Sequence, residues 1–125
     1  MLVLYAIAAP SVSLSASAGS VVPLPGPDAV VLGRVLSSGG GGLEGARVDV
    51  RTGGGPVRQG TSNSAGAFRI ALPGRCAVYT VAIHAPAQGS TVRATLRHRL
   101  CPGDALPIDA HVVTQGQFLW VPGPR

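Results

Sequence analysis

The side chains that could do chemistry are few and widely spaced along the chain. The histidines are His84, His98 and His111, and the one glutamate is Glu44. A zinc peptidase of the His-Glu-x-x-His type needs two histidines on one helix face with a glutamate beside the first. His84 and His111 fall at outward strand positions where they could approach each other, but a zinc site needs further ligands. The pattern does not favour a metal site.

The remaining polar residues do not form a catalytic or cofactor-binding motif. The turn at residues 63–66 has no acid for calcium. No Gly-x-Ser-x-Gly elbow is present, and the glycine run at residues 39–42 lacks the Lys-Ser/Thr of a phosphate loop. The aspartates form no evident acid–base pair. We therefore expect a non-enzymatic protein that needs no cofactor.

The two cysteines, Cys76 and Cys101, are not in a Cys-x-x-Cys arrangement. In a chain with an export-like start, two cysteines on neighbouring loops predict a single disulfide. The alternative from the residues alone is a pair of unlinked, buried small side chains.

The chain is basic, with a formal charge of +5, and all ten basic residues are arginine. Arg93, Arg97 and Arg99 are at odd-numbered positions in and just after a strand predicted at residues 91–97. They could form an outward stripe, with His98 nearby, for an anionic glycan or an acidic partner. A solvated strand face has the same pattern. No basic cluster with interleaved aromatics is visible, so nucleic acid is not a favoured partner.

Near the C-terminus, Phe118 and Trp120 flank Leu119 in an apolar patch. A tryptophan at the end of a β-sandwich can stack on a sugar or bury into a partner. The same residues could instead cover the core as a final strand.

Residues 1–20 are uncharged and begin with a short apolar run. The run is too short for a membrane-spanning helix, and Ala16-Ser17-Ala18 resembles a signal-peptidase site. The alternation at Val12, Leu14 and Ala16 equally predicts a retained strand that adds to the sheet edge of a neighbour. Three interpretations stay open: a signal peptide, a donor strand and a membrane anchor.

The rest of the chain alternates apolar and polar residues between Gly-, Ser-, Asn- and Pro-rich turns, with no helical period. We expect an all-β chain: a single antiparallel β-sandwich of about seven strands. Three prolines make residues 21–28 a linker, residues 29–121 form the domain, and residues 122–125 are a tail. The strand at residues 46–52 should place Ala46, Val48 and Val50 inside. The strands that follow should bury Phe68, Ile70, Leu72, Tyr79, Val81 and Ile83.

The order of motifs carries a family resemblance. Val31-Leu32-Gly33-Arg34-Val35 is followed by Leu43-x-Gly45-Ala46, then by Asn63-x-x-Gly66-x-Phe68, and then by Tyr79-Thr80-Val81. Over residues 30–85, with a looser match to residue 113, this resembles the carboxypeptidase regulatory-like domain, a transthyretin-like sandwich with Greek-key connections. Asn63 stands where the family often has Asp, and the Pro-Gly-x-Tyr segment is expanded so that it carries Cys76.

The resemblance implies a binding or architectural module outside the cell. We expect a secreted or cell-surface structural protein that self-assembles, for example as a homo-oligomer or filament. A glycan-binding accessory module is the alternative. Membrane contact is expected only through the N-terminal segment.

Overall fold

A computed structural model describes residues 3–24, 26–53, 58–72, 75–87 and 89–123. Within these ranges it describes the side chains of residues 12–114. The described chain is all-β and contains no helix. Its nine strands are β1 (Val3–Ala18), β2 (Val22–Pro23), β3 (Ala29–Leu36), β4 (Arg47–Thr52), β5 (Arg58–Thr61), β6 (Ala67–Leu72), β7 (Ala77–Ala87), β8 (Ser90–Leu100) and β9 (Asp104–Gly123).

The strands form two sheets around one core, as expected for a β-sandwich. The five-stranded sheet has the order β1-β9-β3-β6, with β2 also paired to β9, and the four-stranded sheet has the order β5-β4-β7-β8. Strands β1 and β8 lie close to each other, as do β5 and β6, so the edges of the two sheets stack. The predicted count of about seven strands is too low for the described chain. The sheets are also not wholly antiparallel, because β3 and β9 pair in parallel.

Alternation along the strands supplies the core. Val48 and Val50 on β4 are buried, and so are Phe68 and Ile70 on β6. Among the described residues, Tyr79 on β7 is the largest fully buried side chain. The inward faces predicted for these strands are therefore confirmed. One face of each strand is apolar and the other meets solvent, which is the pattern of a half-buried antiparallel strand.

Gly33 on β3 lies where two backbones come close together. A Cβ added there would stand 1.9 Å from the carbonyl oxygen of Ile108 on β9. A glycine inside a strand often marks a bulge or a close backbone approach, and the close approach is what the structure has.

Strands β1 and β9 are the two longest strands of the described chain. Strand β9 runs unbroken from Asp104 to Gly123, so the apolar residues 118–120 belong to the same strand as the core residue Ile108. It pairs with β3 only as far as His111. Beyond that point residues 112–123 pair with residues 3–14 of β1 as a two-stranded ribbon.

The proline-rich segment at residues 21–28 is not solely a linker. Val22 and Pro23 form β2, which pairs with Ala105 and Asp104 on β9. Leu24 continues the contact by donating its N–H to the carbonyl oxygen of Gly103 at 2.8 Å.

Candidate functional site

Cys76 and Cys101 form a disulfide with an S–S distance of 2.08 Å, as the sequence predicted. Ala77 and Leu100 are the last residue pair at the open end of the β7–β8 hairpin, and the disulfide closes this end just beyond them. A disulfide points to an oxidising compartment.

The arginines of β8 lie exposed on the outer face of the four-stranded sheet. Arg93, Arg97 and Arg99 are at alternate positions and are all exposed. On β4, Arg47 and Arg51 lie on the same outer face. The face therefore carries two rows of arginine, where the sequence indicated a single stripe.

The strand register brings the two rows into line. Arg47 on β4 is paired with His84 on β7, and His84 with Arg93 on β8. Thr80 stands in the same way between Arg51 and Arg97. The outward side chains of β7, among them Thr80 and His84, thus separate the rows.

Between the rows runs a groove, which we call the arginine trough. One part, of about 290 Å³, is lined by Arg47, Asp49, Arg51, Thr80, Ala82, His84 and Arg93. A second part, of about 330 Å³, shares Arg47 and His84 and extends to Gly45, Pro86 and Thr91. The trough follows β7 along the sheet.

Asp49 is the one acid of the strands that line the trough, and it is partly neutralised. Its Oδ2 lies 3.3 Å from Nε of Arg47 and 3.4 Å from Nε2 of His84. Its Oδ1 is buried and has no hydrogen-bond partner among the described residues. Asp49 therefore holds the His84 side chain in place, but one carboxylate does not cancel the positive charge of the arginines around the trough.

The structure does not bring the histidines together. His84 lies on the outer face of the four-stranded sheet, whereas His111 is exposed on β9 of the other sheet. The expectation that these two could approach each other is wrong. His98 is half-buried, and its Nδ1 lies 2.8 Å from the carbonyl oxygen of Arg99. Within the described ranges no three His, Cys, Asp or Glu residues are grouped so that they could hold a metal ion.

Strand β1 adds to the sheet of its own chain. Leu14 is buried in the core, and Val12 and Ala16 pack against it. The predicted donor-strand residues thus face an apolar core, and the pairing partner in the structure is β9 of the same molecule. Pairing of β1 with a neighbour stays a prediction.

The outer edge of β1 presents a row of backbone groups. Gly19, directly after β1, donates its N–H to the carbonyl oxygen of Pro107 at 2.8 Å. In an antiparallel pair, hydrogen-bonded and non-hydrogen-bonded positions alternate. Odd-numbered residues of β1 therefore bond to β9, while the N–H and C=O groups of Val12, Leu14, Ala16 and Ala18 point away from it. Pro10 is on this outward set, where its missing N–H costs no bond to β9.

Apart from the two-residue strand β2, four strands form the sheet edges, and β1 differs from the other three. Strand β8 carries three exposed arginines, β6 carries exposed Arg69, and β5 has only four residues. Charge and shortness are the usual protection of an edge strand. Strand β1 has 16 residues and no charge.

Phe118 and Trp120 lie outside the residues whose side chains the structure describes. Their backbones belong to the ribbon, opposite Ala8 and Ala6 on β1. The proposed sugar or partner contact of this patch stays a prediction.

No helix among the described residues has the length and apolar character needed to span a membrane.

No family model matches the chain, and none of the curated proteins searched matches it. Among solved structures, it is similar to the dioxygenase domain of a dioxygenase carbohydrate-binding protein fusion from the cellulolytic bacterium Streptomyces sp. SirexAA-E. The two are 18% identical over 70% of this chain and 80% of the other, with a TM-score of 0.49. At this identity and TM-score the likeness says nothing about function.

Proposed function

We propose that this chain is a non-enzymatic, secreted or cell-surface structural module that self-associates through β1. The observation that carries the proposal is the long, uncharged edge of β1, whose outward backbone groups have no partner strand in the described chain. An open edge of this kind is a template for another strand.

The occupant of the edge is a second copy of β1. Two identical antiparallel strands satisfy each other about a twofold axis, which is the commonest symmetry of soluble oligomers. The two five-stranded sheets would then continue into one another. The exposed serines at positions 13, 15 and 17 place no charge or large side chain against the incoming strand.

Donation of β1 to the sheet of a neighbour, the form predicted from the sequence, uses the same strand in another way. Leu14 would have to leave one core and enter another, because it is buried in its own molecule. Edge-to-edge pairing leaves each core closed. We therefore favour the edge contact over the donation of β1.

The remaining features are compatible with this role. The disulfide fits an oxidising compartment outside the cytoplasm. The carboxypeptidase regulatory-like resemblance and the Greek-key connections belong to the same proposal. A twofold β1 contact closes at the dimer, so the filament predicted from the sequence would need a second contact and stays a prediction. Glycan binding is the alternative function. The arginine trough on the other sheet favours an acidic glycan as the ligand.

The test is to place charge on the β1 edge without touching the core. In the variant Ser13→Lys/Ser15→Lys both side chains are exposed and the pairing with β9 is retained. The matched control, Gln59→Lys/Thr61→Lys, puts the same charge on exposed positions of the edge strand β5.

Sedimentation equilibrium reads out the result. We expect the wild-type chain and the β5 variant to reach twice the protomer mass of 12.5 kDa, and the β1 variant to stay at 12.5 kDa. A monomeric wild type at every concentration, or equal association of both variants, would contradict the proposal.

A further inference from the structure

We propose that the arginine trough binds a linear acidic polysaccharide. The proposal concerns the outer face of the four-stranded sheet and is independent of the β1 edge. It starts from charge: five arginines lie on the outward positions of β4 and β8, and Asp49 is the one acid on the described strands of this sheet. The outer face of the other sheet has Arg34 and Arg69 with Asp109.

The spacing of the arginines suits an extended polymer. Strands in a sheet are about 4.8 Å apart, so the β4 and β8 rows are separated by about 10 Å across β7. Within a row, Arg47 and Arg51 are four residues apart, as are Arg93 and Arg97, which is about 13 Å along a strand. A single extended chain can lie along β7 and meet guanidinium groups on both sides.

The floor of the trough allows close approach. Thr80 and Ala82 are small, and His84 is held at one side by Asp49. Guanidinium groups bind sulfate and carboxylate oxygens in a bidentate way, so a polymer bearing such groups at intervals would be recognised from both rows.

The chemistry of the face separates this ligand from two others. No Phe, Tyr or Trp side chain lies among the described residues that line the trough, and both Tyr79 and Phe68 are buried. Neutral sugars and single-stranded nucleic acids are commonly held by stacking on several such rings, and among the described residues of the trough only the His84 imidazole is aromatic. The disulfide fits an oxidising compartment, and extracellular polysaccharides occur in such surroundings.

The experiment measures retention of the full chain on immobilised dextran sulfate, with neutral dextran and single-stranded DNA as parallel matrices. The variant Arg51→Gln/Arg97→Gln removes one guanidinium from each row. Its control, Arg34→Gln/Arg69→Gln, removes the same charge from exposed positions on the other sheet. A thermal melt confirms that each variant is folded.

We expect the wild type to bind dextran sulfate in a salt-dependent way and not to bind neutral dextran. The trough variant should bind about tenfold more weakly, since charge-assisted contacts from both rows are lost. The control should bind like the wild type. Equal loss of binding in both variants would overturn the proposal, because it would show a response to net charge alone. Absence of binding by the wild type would also overturn it.

A second pair of variants tests the trough by gain of binding. Asp49→Asn removes the acid of the trough, and Asp109→Asn removes an exposed acid from the other sheet. Asp49→Asn should bind dextran sulfate several times more tightly, whereas Asp109→Asn should leave binding unchanged. The protein could instead bind single-stranded DNA as tightly as dextran sulfate, with the same response to these substitutions. That result would reject a polysaccharide as the occupant.

Discussion

The backbone N–H of Gly19 donates to the carbonyl oxygen of Pro107 at 2.8 Å, and this bond fixes the phase of the whole β1–β9 pair. Since the bonding positions alternate, it determines which residues of β1 direct their backbone groups towards solvent. Val12, Leu14 and Ala16 present apolar side chains to the core and their N–H and C=O groups to the open edge. A strand that completes its own sandwich is thus also the one suited to extend the sheet.

Ser62 is a structural polar residue, and its removal should destabilise the fold. Its hydroxyl accepts from the N–H of Ala46 at 2.9 Å and donates to the carbonyl oxygen of Leu43 at 2.5 Å. Ser62→Ala leaves both backbone groups without this partner, so we expect a loss of about 1–3 kcal/mol in the free energy of unfolding.

Urea denaturation measures the loss at Ser62. The control Ser64→Ala changes an exposed turn residue and should stay within about 0.5 kcal/mol of the wild type. Equal stability of the two variants would show that the buried hydroxyl does not support the turn before β4.

Gly33→Ala should also destabilise the protein, because of the backbone it approaches. The added Cβ would stand 1.9 Å from the carbonyl oxygen of Ile108, so β3 and β9 would have to move apart. Overpacking of this kind costs about 1–3 kcal/mol.

The matched control for Gly33→Ala is Gly53→Ala, because no described residue lies within 4 Å of the Cβ added at Gly53. We expect the denaturation midpoint to fall for Gly33→Ala alone. A wild-type midpoint for Gly33→Ala would contradict the close pairing of β3 with β9.

Much of the local structure was predictable from the sequence, because alternation and turn chemistry act over a few residues. The buried faces at Val48, Ile70 and Val81 and the turn at Gly66, where φ is +78°, follow from such signals. The disulfide was predictable too, since the turns that carry its cysteines flank one hairpin.

The long-range relations were not predictable in this way. Nothing local indicates that residues 30–36 pair in parallel with residues 105–111, or that β9 continues into the ribbon. The arginine trough depends on the register of β4, β7 and β8, so the sequence around Arg47 and Arg51 gives no sign of it. Ser62 gives no local sign of its role either, because its two hydrogen-bond partners are 16 and 19 residues away.

Placement of β1 in its own core also changes how assembly should be tested. Deleting residues 1–20 would remove Leu14 from the core as well as the edge strand from the sheet. The deletion therefore changes stability and association together. Charge substitutions at exposed positions change association without removing a core residue.

The most direct test of the account is amide hydrogen exchange of β1, followed residue by residue as the protein concentration is raised. The amides of Ser13 and Ser15 face β9 and should be protected at every concentration. The amides of Leu14 and Ala16 should exchange quickly in dilute solution and become protected as copies pair along the edge. Fast exchange of Leu14 and Ala16 at all concentrations would contradict self-association through β1.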